Sequence, residues 1–239
     1  MKKGRSRQGK ASSEEGSFDA EAAYANSIFR TALGDCEGAV CALERALEFK
    51  PTYAPAILSM GSVEYQRGRT AEGRKLFRSL LLLPKSTPDL CEIIDEAGSF
   101  LIQIRAYKDG LALYRAAAAR FPAVAVFHQG RGCCAGHEGF HDEAVAASER
   151  ALQLEPGNQK FVNDLGWALF EAGRVEEAER MLEQAVSLDP FRSVGAREPS
   201  HLQDENPKTA QEEERALTLQ AMAKDGPRLN ARAVVAGAS

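Results

Sequence analysis

Cys133, Cys134, His137 and His141, with His128 nearby, make up the one stretch of this 239-residue chain whose side chains carry metal-ligand chemistry. Thiolate and imidazole hold zinc at about 2.0–2.3 Å, and Cys133 and His137, four apart, would share one helix face. Adjacent cysteines, however, point about 100° apart on a helix, and the spacing matches no standard zinc motif. The competing reading is two small, partly buried thiols beside surface histidines. The cluster is a candidate metal or redox centre, and no cofactor is expected. A second kind of chemistry lies in carboxylates. Glu92, Asp95 and Glu96 form one acidic group and Asp164 and Glu171 another, close to Trp167 and Phe170. On a shared surface they would attract a basic or amphipathic peptide, with screening beyond about 8–10 Å at physiological salt. Alternatively they are solvated helix faces. Aromatic side chains are natural binding anchors because they bury a large area with few rotors. Trp167 is the only tryptophan.

No catalytic constellation accompanies these groups. The chain has no Gly-rich phosphate loop, no GxSxG elbow, no HExxH, and only four histidines, none paired with a nucleophile and an orienting carboxylate. It is therefore expected not to be an enzyme.

The elements that must position these side chains follow from composition and period. Hydrophobic residues make up 44%, charged residues 27%, and aromatic residues only 7%. Ala, Leu, Glu and Arg abound, which favours helix because these side chains lose little rotamer freedom there. The net charge of −4 argues against non-specific nucleic-acid binding. Apolar runs such as Leu80–Pro84 are far short of the roughly 20 residues that span a bilayer. Five cysteines without scaffold spacing read as free thiols, and no apolar stretch of a secretory signal follows the basic residues of 1–10, so a cytoplasmic location is expected.

Prolines close apolar helical stretches at Pro51, Pro84, Pro122, Pro156 and Pro190, at intervals of 33, 38, 34 and 34 residues. The 38-residue interval implies a short insertion near 85–89. Each stretch breaks once at a turn, at Gly34, Gly68, Arg105, Gly139 and Gly173, so each repeat reads as helix, tight turn, helix. Only Arg105 departs from glycine. Gly61, Gly98, Gly132 and Gly166 recur in the first helices, against Ala39, Gly73, Gly110, Ala144 and Ala178 in the second ones. Small residues there permit close helix crossing, at about 8–10 Å between axes.

These residues resemble the tetratricopeptide repeat (TPR) family over about residues 20–190. The fifth repeat matches best, with Leu165-Gly166, Gly173, Ala178, Leu182, Ala185 and Pro190; the first is weakest, with Asn26-Ser27 where the family has Leu-Gly. The resemblance implies an all-α fold: a right-handed superhelical solenoid of stacked antiparallel helix pairs, at about 20–51, 54–87, 90–122, 124–156 and 158–190. It also implies a concave groove lined by first helices. By repeat position the groove would present Tyr24, Ile28, Tyr65, Glu92, Asp95, Glu96, Gln129, Asn163, Trp167 and Phe170. Family members that clamp a chaperone's acidic C-terminus use Lys, Asn and Arg where this chain has Tyr24, Ile28, Ser59, Glu92 and Glu96, so that clamp is absent.

Outside the repeats, 1–17 is expected to be a disordered basic N-terminus. Beyond Pro190 come a connector at 191–207, a capping helix at 208–225 and a flexible tail at 226–239. The expected function is a non-catalytic protein–protein interaction scaffold binding a partner peptide, basic or amphipathic, in the groove. The alternatives are a metal- or redox-responsive protein using the Cys133/Cys134/His137/His141 cluster, or a structural accessory subunit. Neither nucleic acid nor a membrane span is an expected partner.

Overall fold

The computed structural model describes residues 5–188, with side chains from Gly16 onward. Ten α-helices follow one another among the described residues. The chain divides into two compact units between Ile104 and Arg105.

The first unit holds α1 (Arg5–Ala32), α2 (Cys36–Phe49), α3 (Ala54–Gln66), α4 (Thr70–Leu80) and α5 (Leu90–Gln103). α1 packs on α2, α3 on α4, and α3 also meets α2 and α5. α1 begins at Arg5, so the stretch 1–17 expected to be disordered is helical from Arg5 onward. No proline interrupts it, and a helix propagates cheaply once a nucleus exists, here the buried Ala20 and Ala23. α2 starts on a side-chain cap: Gly38 N–H donates to Asp35 Oδ1 at 2.9 Å, and Arg30 Nη1 meets Oδ2 of the same carboxylate at 2.6 Å. The core joins Ala23, Val40, Leu43, Ala46, Ala56 and Met60. Beside it Tyr65 stacks on Phe77 at 5.5 Å, with the Phe100 ring 6.0 Å from each.

α4 stops at Leu80, short of Pro84. Leu80 and Leu83 point inward while Leu82 faces solvent, and the inserted segment ends at Asp89 with φ 52°. The three leucines after Leu80 thus make an irregular turn rather than a last helical turn.

The second unit holds α6 (Tyr107–Arg120), α7 (Ala125–His137), α8 (His141–Leu154), α9 (Gln159–Glu171) and α10 (Val175–Leu188). α7 packs against α6, α8 and α9, α8 against α9, and α9 against α10. Its interior is built on Tyr114, Phe127, Cys134, Val162 and Leu182, all fully buried. The segments 191–207, 208–225 and 226–239 lie outside the described residues.

The turns between paired helices share one backbone device. Gly34, Gly68, Gly139 and Gly173 have φ of 76–78°, and the next residue's N–H reaches back to a carbonyl five residues earlier, as in Asp35 N to Arg30 O at 2.9 Å and Phe140 N to Ala135 O at 2.9 Å. Arg105, at the corresponding sequence position, also has a positive φ, 60°. The close approaches follow the small residues. A Cβ on Gly73 would lie 3.0 Å from the Gly61 carbonyl oxygen and 2.5 Å from the Tyr65 ring, and one on Gly61 would lie 2.6 Å from Phe77 Cδ1. Gly132 sits likewise over the Ala144 carbonyl. Gly166, paired with Ala178 by its position in the repeat, instead lies against Leu182.

Candidate functional site

In the second unit the first helices of consecutive repeats, α7 and α9, lie side by side. The helical period places Gln129 and Cys133 on one face of α7, and Asn163, Trp167 and Phe170 along α9. Gln129 Nε2 donates to Asp164 Oδ2 at 2.8 Å and links the two helices. Burial pushes the Asp164 carboxyl above the usual carboxylate range, against the lowering effect of Gln129, nearby Lys160 and the Asn163 side chain. Trp167 stacks on Phe170 with centroids 5.7 Å apart and planes 26° from parallel. Glu171 Oε2 lies 2.8 Å from where a Cβ on Gly136 would stand, so its carboxylate covers the last turn of α7. A half-buried acid, an amide and a stacked aromatic pair therefore share one strip. Such a strip offers charge, hydrogen bonding and apolar area to an extended or helical peptide.

The first unit positions its own candidates. Tyr24 is half-buried, its hydroxyl 3.5 Å from Ser59 Oγ and its ring edge-on to Tyr53 at 5.6 Å. Ile28 is exposed on α1; Glu92 and Glu96 are exposed and Asp95 half-buried on α5. Tyr65 does not belong to this surface. It is buried in the first unit's core, because the missing side chain of Gly73 leaves a gap that its ring fills.

The Cys/His cluster does not converge. Cys134 is fully buried and Cys133 half-buried, on the same helix but pointing to different surroundings. The exposed His137 stacks on Tyr107 with ring centroids 4.0 Å apart. His141 is exposed at the start of α8, and His128 is buried with Nε2 3.0 Å from the Pro122 carbonyl oxygen. Among the described residues, no three His, Cys, Asp or Glu side chains are placed to hold a metal ion. Burial, reinforced by the Asp164 charge, pushes the Cys133 thiol up to about 12, and burial raises Cys134 as well. Both thiols are held in the protonated, unreactive form, the opposite of what a redox or metal centre requires.

Two ion-pair groups lie outside the residues singled out from the sequence. Glu143 on α8 accepts from Arg115 on α6, Nε at 2.9 Å, and from Arg131 on α7, Nε at 2.7 Å. The Arg115 guanidinium first, then Arg131, holds the Glu143 carboxyl down at about 2. Glu64 is buried, and Arg69 Nη2 reaches back across the Gly68 turn to its Oε1 at 2.6 Å. Only the second pair is local enough to be guessed.

Residues 137–196 match the sequence profile of the family described as "Tetratricopeptide repeat". The ten helices described fit about five such repeats. A small glutamine-rich TPR-containing protein 2 of Mycosarcoma maydis is 27% identical over 103 residues, which is 43% of this chain and 29% of the relative's length. Among solved structures, YrrB, described as a TPR protein with an unusual peptide-binding site, has a TM-score of 0.51 at 22% identity and covers 74% of this chain and 90% of its own. MamA residues 41 to the end, from Desulfovibrio magneticus RS-1, gives 0.53 at 20% identity, covering 74% and 98%. These structures share the all-helical fold of paired helices. No helix among the described residues is long and apolar enough to cross a membrane.

Proposed function

We propose that this TPR chain is a non-catalytic interaction scaffold whose first-helix surfaces hold a basic or amphipathic segment of a partner protein. TPR folds serve protein–protein contact as a class, and the peptide-binding site described for YrrB is a precedent on the same fold. The observation that carries the reading is the strip on α7 and α9. There Asp164, desolvated and bonded to Gln129, stands one helical turn from the Trp167–Phe170 stack. A partially buried carboxylate gains most from a cation that arrives with its own hydrogen-bond donors, and the aromatic pair suits the apolar flank of the same segment. Rigid helix pairs hold such a strip preformed, so docking costs little ordering of the receptor. Free thiols and an acidic balance fit a cytoplasmic partner.

A phage-displayed dodecamer library selected on the full chain tests this. The reading expects enrichment of peptides with Lys or Arg beside apolar residues, whose capture is lost on Asp164→Lys and on Trp167→Ala. Enrichment of acidic peptides, or of peptides indifferent to both substitutions, would overturn it.

A further inference from the structure

We propose that the outward face of α1 is a self-association surface on which the α1 helix of a second copy packs antiparallel. α1 turns Ala20, Ala23 and Ser27 inward. On its opposite side Phe18, Ala22, Ala25, Phe29 and Ala32, and Leu33 just past its end, follow one another three, four or one residue apart and form one continuous apolar stripe. The stripe is open: Phe18 is 72% exposed, Phe29 63% and Leu33 67%. It is about 22 Å long at 1.5 Å per residue.

A single exposed Leu is ordinary, but three large apolar side chains in one helical line are the pattern of a contact surface. Side chains of this size bury about 150–250 Å² each when covered, so the exposed fractions amount to roughly 300–500 Å² per copy, before the alanines between them. Twice that approaches the ~1,000 Å² that a specific interface needs. The area fits a reversible dimer rather than an obligate one. The order of sizes fits a second copy of the same stripe: Ala22 and Ala25 at the middle permit close approach, and in an antiparallel pair Phe18 of one copy meets Phe29 and Leu33 of the other. Charge sets the direction. Asp19 and Glu21 flank one end of the stripe, so parallel pairing would bring four carboxylates together, while antiparallel pairing separates them by the length of the stripe. The resulting contact is isologous and closes on itself. It uses neither Asp164 nor Trp167, so it stands or falls independently of the peptide strip.

Sedimentation velocity on the full chain over about 1–100 μM, the range expected for an interface of this size, tests the proposal. The expected result is a concentration-dependent monomer–dimer equilibrium, abolished by Phe29→Glu and by Phe18→Glu with unchanged far-UV circular dichroism, and retained in a chain ending at residue 188. Orientation is read by disulfide trapping in a Cys36→Ser, Cys41→Ser background. Ala25→Cys, near the dyad, should cross-link, whereas Phe18→Cys alone should not. A monomer throughout the range overturns the proposal, as does a dimer indifferent to both Glu substitutions. Association that appears only when 189–239 are removed overturns it too, since the chain's own C-terminal segment would then be the occupant. Cross-linking through Phe18→Cys as well would overturn the antiparallel arrangement.

Discussion

The side-chain amide of Gln129 donates to Asp164 Oδ2 at 2.8 Å, and this bond ties the first helix of one repeat to the first helix of the next. Its acceptor is a carboxylate whose pKa burial has raised. A carboxyl with a raised folded-state pKa contributes stability while protonated, and that contribution is lost as pH rises through the folded pKa. At neutral pH Asp164 is therefore a cost to the fold that a binding role would justify. Asp164→Asn should leave the melting temperature unchanged or higher, within about 1 kcal/mol of the parent. It should also weaken a selected basic peptide about tenfold, or about 1.4 kcal/mol. Thermal melts and calorimetric titration check the two halves separately, and parallel losses in both would make Asp164 merely structural.

Gly61→Ala tests the helix crossing of the second repeat. The new methyl would meet the ring of Phe77, which is fully buried and stacked on Tyr65, so the ring has little room to move. Overpacking of this kind costs about 1–3 kcal/mol. Urea denaturation should show a lower midpoint with an unchanged slope.

Arg105 offers the opposite change. It holds φ 60° where four equivalent turns use glycine. A left-handed conformation costs a side-chain-bearing residue about 1–2 kcal/mol, partly offset by the greater unfolded-state freedom of glycine. Arg105→Gly should raise stability by about 0.5–1 kcal/mol, visible as a higher melting temperature. No gain would mean that the Arg105 side chain makes a compensating contact.

Glu143 links pH to stability in the second unit. Its pKa is lowered from 4.5 to about 2 by Arg115 and Arg131. The sign follows: its contribution is present above the unfolded value and fades as pH falls from about 4.5 toward about 2. Because Arg115 is largely exposed, solvent screening reduces the pair's worth, and Glu143→Gln should cost on the order of 1 kcal/mol at pH 7. Melts of both proteins across that acid range should converge at its lower end.

The thiols divide by burial. Cys36 and Cys41 are exposed, whereas Cys133 and Cys134 are shielded and held protonated. Iodoacetamide at neutral pH should label the first two far faster, as read by peptide mass spectrometry. Fast labelling of Cys133 would reopen a redox role for its cluster.

The glycine turns and the pairing of α1 with α2, α3 with α4, α7 with α8 and α9 with α10 were legible in the sequence because each rests on local chemistry. Proline after an apolar helix marks an end, and glycine marks a left-handed turn. What a side chain faces across a repeat was less legible. Tyr65, placed by its repeat position on the binding surface, turns inward because Gly73 on the neighbouring helix leaves room. The Gln129–Asp164 bond joins residues 35 apart, about one repeat, so their periodic placement was visible while the bond was not. Helix α1 exceeded expectation because a polar, proline-free stretch extends a helix already nucleated by buried alanines. The Cys/His run failed because proximity along a chain does not aim side chains at one point.

The most direct measurement is a ¹⁵N-resolved chemical-shift titration of the full chain with the selected basic peptide. Perturbations are expected to concentrate on Gln129, Asn163 and the Trp167 indole N–H, on the strip shared by α7 and α9. Perturbations confined to α8 and α10, or none at saturating peptide, would contradict it.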